Sequence, residues 1–359
     1  MTERTGLLFV GSVLGPKSWA IQSLTVPRDR RERDKMIQAK ALIVALAFCV
    51  LAEPLAAEAQ QATSRHRIGW LTPVVVEDHP RAFRDAMRRL GYVEGQTITF
   101  EERSADDDLN RLPSLAAELV RSKVDVIVAV SPPAIRAARQ ATDTIPIVMA
   151  FWGTSGLIES GMVANLAHPG GNVTGVYMLA AELDAKRLEL LLEAVPRARK
   201  VGVLDPGPGF TLTEVQNVAR AVGVELHVTA VGSGLDGYKR AFESMAQAHV
   251  EALLVPSFPR FFRDARQIFD LAATRHIPAV YEWPSMAEDG GMMAYGPTLA
   301  ELDGRTATFV DRILKGAKPG NLPVEQPTKF ELVINLKAAK ALGLTIPQAL
   351  LVRADRVIQ

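Results

Sequence analysis

The chain of 359 residues has a single cysteine, Cys49. A mature form lacking that residue has no disulfide, no thiol catalysis and no thiolate metal site, which is compatible with an oxidising compartment. An excess of one charge is also missing. Lys and Arg total 41 against 40 Asp and Glu, a net +1, so no global basic field draws the protein to nucleic acid or to an anionic membrane surface. No clean apolar run reaches the length of a membrane-spanning helix. The six histidines, His66, His79, His168, His227, His249 and His276, include no pair at metal-ligand spacing and no H-E-x-x-H. G-x-S-x-G and a Walker A lysine loop are absent. Two partial motifs fail on inspection. "GPGFTL" (207–212) starts like a dinucleotide fingerprint, but it lacks the third glycine and is stiffened by Pro208. "DDDLN" (106–110) starts like a calcium loop, but Arg111 stands where glycine is needed and Ala117 where glutamate is needed. It reads as a solvated loop before a helix. No catalytic, metal or cofactor constellation emerges, and the reading is a protein that is not an enzyme.

What is present begins with a leader. Lys40 precedes an apolar run from Ala41 to Ala52, and Ala57-Glu58-Ala59 is an A-x-A site. Met36 to Ala59 therefore reads as a secretory signal peptide, with Met36 a candidate natural start and residues 1–59 as extension plus signal. Phe48 before Cys49 disfavours lipoprotein anchoring, because a lipidated cysteine follows a small residue.

The mature chain alternates strand and helix. His66–Leu71, Thr97–Glu102, "VDVIVAV" (124–130), "IPIVMAF" (145–151) and Val173–Met178 read as strands. Helical stripes lie between them, including Phe83, Ala86, Met87 and Leu90. A helix is expected over Ile158–Leu166, leading into the turn "HPGGN" (168–172), whose residues suit tight or positive-φ backbone. The pattern then restarts, with helices over 182–196, 213–222, 237–248 and 261–275 and strands over 200–205, 225–231, 251–258, 277–283 and 290–297. A helix over 299–314, a strand near 331–335 and a short helix over 336–342 close the chain. Continuous β-branched runs and βα alternation predict two α/β lobes with parallel sheets.

In open parallel sheets ligands bind beyond the carboxyl ends of the strands. Those ends are Thr72-Pro73, Ser131-Pro132-Pro133, Trp152-Gly153-Thr154, Asp205-Pro206, Ser257-Phe258 and Glu282-Trp283. Their mix of rings, hydroxyls and carboxylates suits a small molecule of mixed polarity. The candidate ligand set is Thr72, Pro73, Ser131, Pro132, Ala134, Gly153, Thr154, Tyr177, Asp205, Ser257, Glu282 and Tyr295. Ser131 is expected to cap a helix starting at Pro132, with its hydroxyl and the N–H groups of Ala134 and Ile135 holding a carboxylate. Asp205 or Glu282 would then meet a cationic group. The turn 168–172 is expected to be structural.

Long stretches carry a resemblance: "GYVEGQTITFEER", "RLPSLAAELVRSKVDVIVA", "TIPIVMAF", "SGMVANLAHPGGNVTGV", "KRLELLLEAVP" and "INLKAAKALGLTIPQALLVRADRVI". From about Arg67 to Ile358 the chain resembles the ABC transporter substrate-binding protein family that includes tryptophan- and other amino-acid-binding members. The resemblance implies a type I periplasmic-binding fold with three hinge crossovers, near 178–181, 295–298 and 326–329. Lobe 1 would comprise 65–178 plus 297–327, and lobe 2 would comprise 182–295 plus 329–359. It also implies a monomeric periplasmic protein that passes a small organic ligand, amino-acid-like or carboxylate-bearing, to an ABC permease and its cytoplasmic ATPase. The alternatives are a periplasmic sensor presenting its ligand-bound form to a membrane receptor, and a Rossmann-type enzyme using "GPGFTL" for a nucleotide. Two loops depart from the pattern. Gly153-Thr154-Ser155 stands where similar sequences carry Gly-Asp-Pro, and Asp205-Pro206-Gly207 stands where they carry an Asn-Pro-Asn type loop.

Overall fold

A computed structural model describes residues 65–75, 78–152, 156–207, 210–232 and 234–359. The expected signal peptide lies outside the described residues. The first lobe opens with β1 (His66–Thr72), α1 (Asp78–Arg89), β2 (Ile98–Ser104), α2 (Leu112–Arg121), β3 (Val126–Val130), α3 (Ser131–Ala141), β4 (Ile147–Trp152) and β5 (Val173–Tyr177). These strands form an all-parallel five-stranded sheet in the order β2-β1-β3-β4-β5. All five residues of β3, "VIVAV", are buried. A central parallel strand is covered on both faces, so an unbroken apolar run is the sequence it needs.

The second lobe contains α4 (Ala180–Ala194), β6 (Lys200–Asp205), α5 (Thr213–Val222), β7 (Glu225–Ala230), α6 (Gly234–Gln247), β8 (Ala252–Leu254), α7 (Pro259–Arg263), α8 (Ala265–Thr274), β9 (Ala279–Tyr281), α9 (Pro284–Glu288) and β10 (Met293–Gly296). The chain then returns to the first sheet with α10 (Leu299–Leu314), which packs on α1, β3, β4 and β5. It ends with β11 (Glu331–Asn335), α11 (Leu336–Ala341), α12 (Gln348–Arg353) and β12 (Arg356–Ile358). The second sheet has seven strands in the order β12-β11-β10-β9-β8-β6-β7. It is parallel except for the β10–β11 pair.

The chain passes between the lobes three times: after Tyr177, after Gly296, and between Glu325 and Glu331. Glu325 extends the first sheet, accepting from Tyr177 N–H at 2.8 Å and donating to Gly175 O at 3.0 Å. Arg305 holds this last passage through Glu325 (3.1 Å) and the Thr328 hydroxyl (3.1 Å). Gly175 is required where β5 meets β4. Its φ is +131°, and a Cβ there would lie 2.4 Å from Met149 O.

Several expectations need correction. Residues 157–167 form turns and bends, not a helix. Gly161 adopts φ +68°, and only Leu157 and Val163 of this stretch are fully buried, six residues apart and without helical periodicity. The single helix expected over 261–275 is two, α7 and α8, broken at Asp264 (φ −94°, ψ 13°). The strands expected over 251–258 and 277–283 shorten to β8 and β9 because their flanks already belong to strand-end loops. The turn 168–172 lies at the amino end of β5, away from the strand ends that face the other lobe. Asn172 Nδ2 donates to Thr142 O (3.1 Å) and Ile145 O (2.8 Å), and Gly170 N–H donates to Gly320 O (3.1 Å). That turn ties the loop before β4 and the loop after α10 to the start of β5.

Candidate functional site

The carboxyl ends of β1, β2 and β3 meet the amino end of α7 from the opposite lobe. A cavity of ≈ 190 Å³ lies there, lined by Trp70, Thr72, Val75, Pro80, Glu102, Arg103, Ser104, Val130 and Pro259. Trp70 is nearly fully buried and packs against Phe83 with ring centroids 5.2 Å apart. The walls are largely apolar, and the polar groups gather at the ends of β1 and β2. That is the usual make-up of a small-molecule site.

Ser131 adjoins this cavity through Val130. Its φ is +71°, a left-handed conformation that costs a non-glycine residue about 1–2 kcal/mol. The side chain is 1 % exposed, and its Oγ has no hydrogen-bond partner. The expected N-cap is therefore not formed. α3 starts at Ser131 itself, and no side chain caps it. The reason is local: Pro132 and Pro133 remove two of the N–H groups at the helix start, and Ser131 adopts a left-handed backbone rather than the extended one of an N-cap, so its hydroxyl does not bond the Ala134 N–H that remains. A strained residue and an unbonded buried hydroxyl coincide at one strand end, which is where such costs concentrate when a site is built.

The other candidates fall as follows. Thr72 lines the cavity, its hydroxyl donating to Val74 O at 2.6 Å. Pro73 is buried beside it and accepts from Asp107 N–H at 3.0 Å. Ala134 is fully buried in the first turn of α3, while Pro132 is half-buried. Tyr177 ends β5, and Tyr295 is the last residue but one of β10, the strands that lead into the first two passages. Burial, with Glu182 and Glu159 nearby, holds the Tyr177 phenol above its usual range. Asp205 accepts from Gly207 N–H at 2.8 Å, closing the loop after β6. Glu282 is buried beyond β9. Gly153 and Thr154 lie outside the described residues.

Ser257 leads to residues that the sequence reading missed. Its Oγ accepts from Arg187 Nη1 at 2.9 Å, and Arg187 Nε donates to Tyr295 O at 2.7 Å. Arg187 is fully buried and also bonds Asp184. Burial dominates the Asp184 carboxyl, pushing it up to about 6 despite the guanidinium beside it. A signal was available. Ala180, Leu183, Asp184, Arg187, Leu188 and Leu191 are all buried on one stripe of α4, so an acid–base pair three residues apart interrupts an apolar face. Arg260 was missed as well. It is buried and donates from Nη2 to Pro206 O (3.2 Å) and Val231 O (3.3 Å), fastening the loop after β6 to α7.

Among the described residues no group of three or more His, Cys, Asp and Glu is arranged to hold a metal ion, and no helix is long and apolar enough to cross a membrane. Two α/β lobes, three passages between them and a cavity at facing strand ends define a two-lobed solute-binding protein of the type I periplasmic-binding fold. Residues 77–358 match the family model for the ABC transporter substrate binding protein, and the chain belongs to that family. Its members are the non-catalytic solute-binding components of ABC importers. The chain is 26% identical over 268 residues to a tyrosine-binding protein of Clostridioides difficile, covering 74% of this chain and 76% of that one. It is 25% identical to the ABC domain from Streptococcus pneumonia solved in complex with L-Trp, with a TM-score of 0.72, covering 82% of this chain and 100% of the other. A conserved domain protein from Vibrio cholerae matches at the same identity and coverage, with a TM-score of 0.73.

Proposed function

We propose that this protein captures an amino-acid-like ligand with an aromatic or large apolar side chain between its lobes and delivers it to an ABC permease. The observation that carries this reading is Ser131: a buried hydroxyl without a protein partner, on a strained residue, at the carboxyl end of β3. Its hydroxyl, with the N–H groups at the start of α3, holds the ligand's carboxylate, where the positive end of the helix adds its field. Asp205 or Glu282 meets the ammonium from the second lobe. The apolar walls around Trp70 take the side chain. The tyrosine-binding relative and the L-Trp complex support this class of ligand.

The remaining parts of the reading follow from the family and the leader. The protein is exported through the signal ending at Ala59, works as a monomer in the periplasm, and meets a membrane permease whose ATPase is cytoplasmic. Calorimetry with L-tryptophan, L-tyrosine, their des-amino acids and their decarboxylated amines tests the ligand class. Both intact amino acids should bind with one site per chain, and the amines should bind far more weakly. An amine that binds as tightly as its parent acid, or no binding by any of these compounds, overturns the proposal.

A further inference from the structure

The acidic stretch at 106–108, which reads as a solvated loop in the sequence, is neither free nor relaxed. Asp106 and Asp107 both adopt positive φ, +51° and +71°. Aspartate enters this region more readily than most residues, and two in succession fix the course of the loop when their groups are bonded. The bracing is visible on every side. Asp106 N–H donates to Ser104 Oγ (3.1 Å), and its carboxylate accepts from Arg111 Nη1 (2.9 Å). Asp107 N–H donates to Pro73 O (3.0 Å), and Asp108 N–H donates to Ala105 O (3.0 Å). The loop is held so that Asp107 points away from its own lobe. Its Oδ2 accepts from Arg263 Nη2 at 2.6 Å, an ion pair that joins the first lobe to α7 of the second.

The far side of the pair is fixed with equal care. Arg263 also donates to Asp264 through Nε (2.7 Å) and Nη2 (2.8 Å). Asp264 is buried and accepts from the hydroxyl of Tyr238, which is fully buried. Arg263 is thus oriented before it meets Asp107. Both ends of the contact border the cavity, through Ser104 on one side and Pro259 on the other.

We propose that Asp107–Arg263 is a latch across the cleft that acts without ligand: it sets how much of the free protein is closed and slows the departure of whatever is bound. A preoriented pair of opposite charges lowers the entropy cost of closing, because neither side chain has to be ordered at that moment. It lends the closed state stability that the open state lacks, which is the differential interaction a population shift needs.

Spin labels on cysteines introduced at Ser114 and Lys239, exposed positions on α2 and α6 of opposite lobes, report the lobe-to-lobe distance in ligand-free protein carrying Cys49→Ser. Wild type should contain a population at the distance of the present structure. Asp107→Asn and Arg263→Gln should each lower its ratio to the open population by about two- to fivefold, the range of a part-exposed ion pair. High salt should act in the same direction on wild type. Asp85→Asn, which breaks only an exposed pair with Arg88 within α1, should leave the distribution unchanged. The latch is refuted by wild type found only in open distances, or by distributions for Asp107→Asn and Arg263→Gln that match wild type.

Discussion

Replacing Ser131 separates what its hydroxyl does for the fold from what it does for a ligand. A helix-capping serine costs about 0.5–2 kcal/mol when changed to alanine. Ser131 Oγ makes no hydrogen bond, so there is no cap to lose. A buried, unbonded hydroxyl carries a desolvation cost of about 1–3 kcal/mol, part of which returns when it is removed, and the small void left behind offsets some of that gain. Ser131→Ala should therefore leave stability unchanged or raise it by up to about 1 kcal/mol. Ser131→Gly also relieves the left-handed backbone, a gain of about 1–2 kcal/mol, set against about 0.5–1 kcal/mol for the more flexible unfolded chain. Ligand binding moves the other way. A hydrogen bond to a charged group contributes about 1.5–3 kcal/mol, so both variants should bind the cognate amino acid about 10- to 100-fold more weakly. Urea unfolding and calorimetry on the same preparations supply both numbers. A variant that loses stability and keeps its affinity would show that Ser131 serves the fold alone.

Three other outcomes follow. Asp184 has a folded pKa of about 6 against 3.8 for the free group, so the folded chain takes up this proton first as pH falls. The group adds stability as pH drops from about 6 to about 4 and withdraws it as pH rises through 6. The stability of Asp184→Asn relative to wild type should therefore be more favourable at pH 7 than at pH 4, and urea melts showing the opposite order would refute the assignment. Asn172→Ala removes two bonds to backbone carbonyls at the end of the sheet away from the cavity. It should cost about 1–3 kcal/mol with ligand affinity intact, and a loss of affinity at unchanged stability would overturn the structural role of this turn. Sequencing of the exported protein should begin at Gln60, and an amino-terminal lipid on Cys49 would contradict the leader reading.

The fold was legible because its cause is local and repeated. "VIVAV" needs cover on both faces wherever it occurs, and stripes such as Phe83, Ala86 and Met87 need one buried side. The stretch 157–167 misled because scattered apolar residues looked periodic enough, while Gly161 was already bending the chain. β12 escaped because three residues, two of them exposed, carry no alternation to read. At the candidate site, the strand ends drew attention to Ser131, but the left-handed backbone that leaves its hydroxyl unbonded is not written in the residue itself. Arg187, Arg260 and Asp107 depend on partners 108, 54 and 156 residues away. A charged residue gives no hint in sequence of which distant carbonyl or carboxylate it will meet. Trp70 is equally silent, since a tryptophan in an apolar strand reads as core until a cavity opens beside it.

The most direct test is a crystal structure of the protein with the amino acid that binds tightest by calorimetry. The account predicts that the molecule lies between the two sheets beyond the ends of β1 and β3. Its carboxylate should be within hydrogen-bond reach of Ser131 Oγ, and its side chain should sit against Trp70. A ligand bound outside the cleft, or one in the cleft that leaves the Ser131 hydroxyl unbonded, would contradict it.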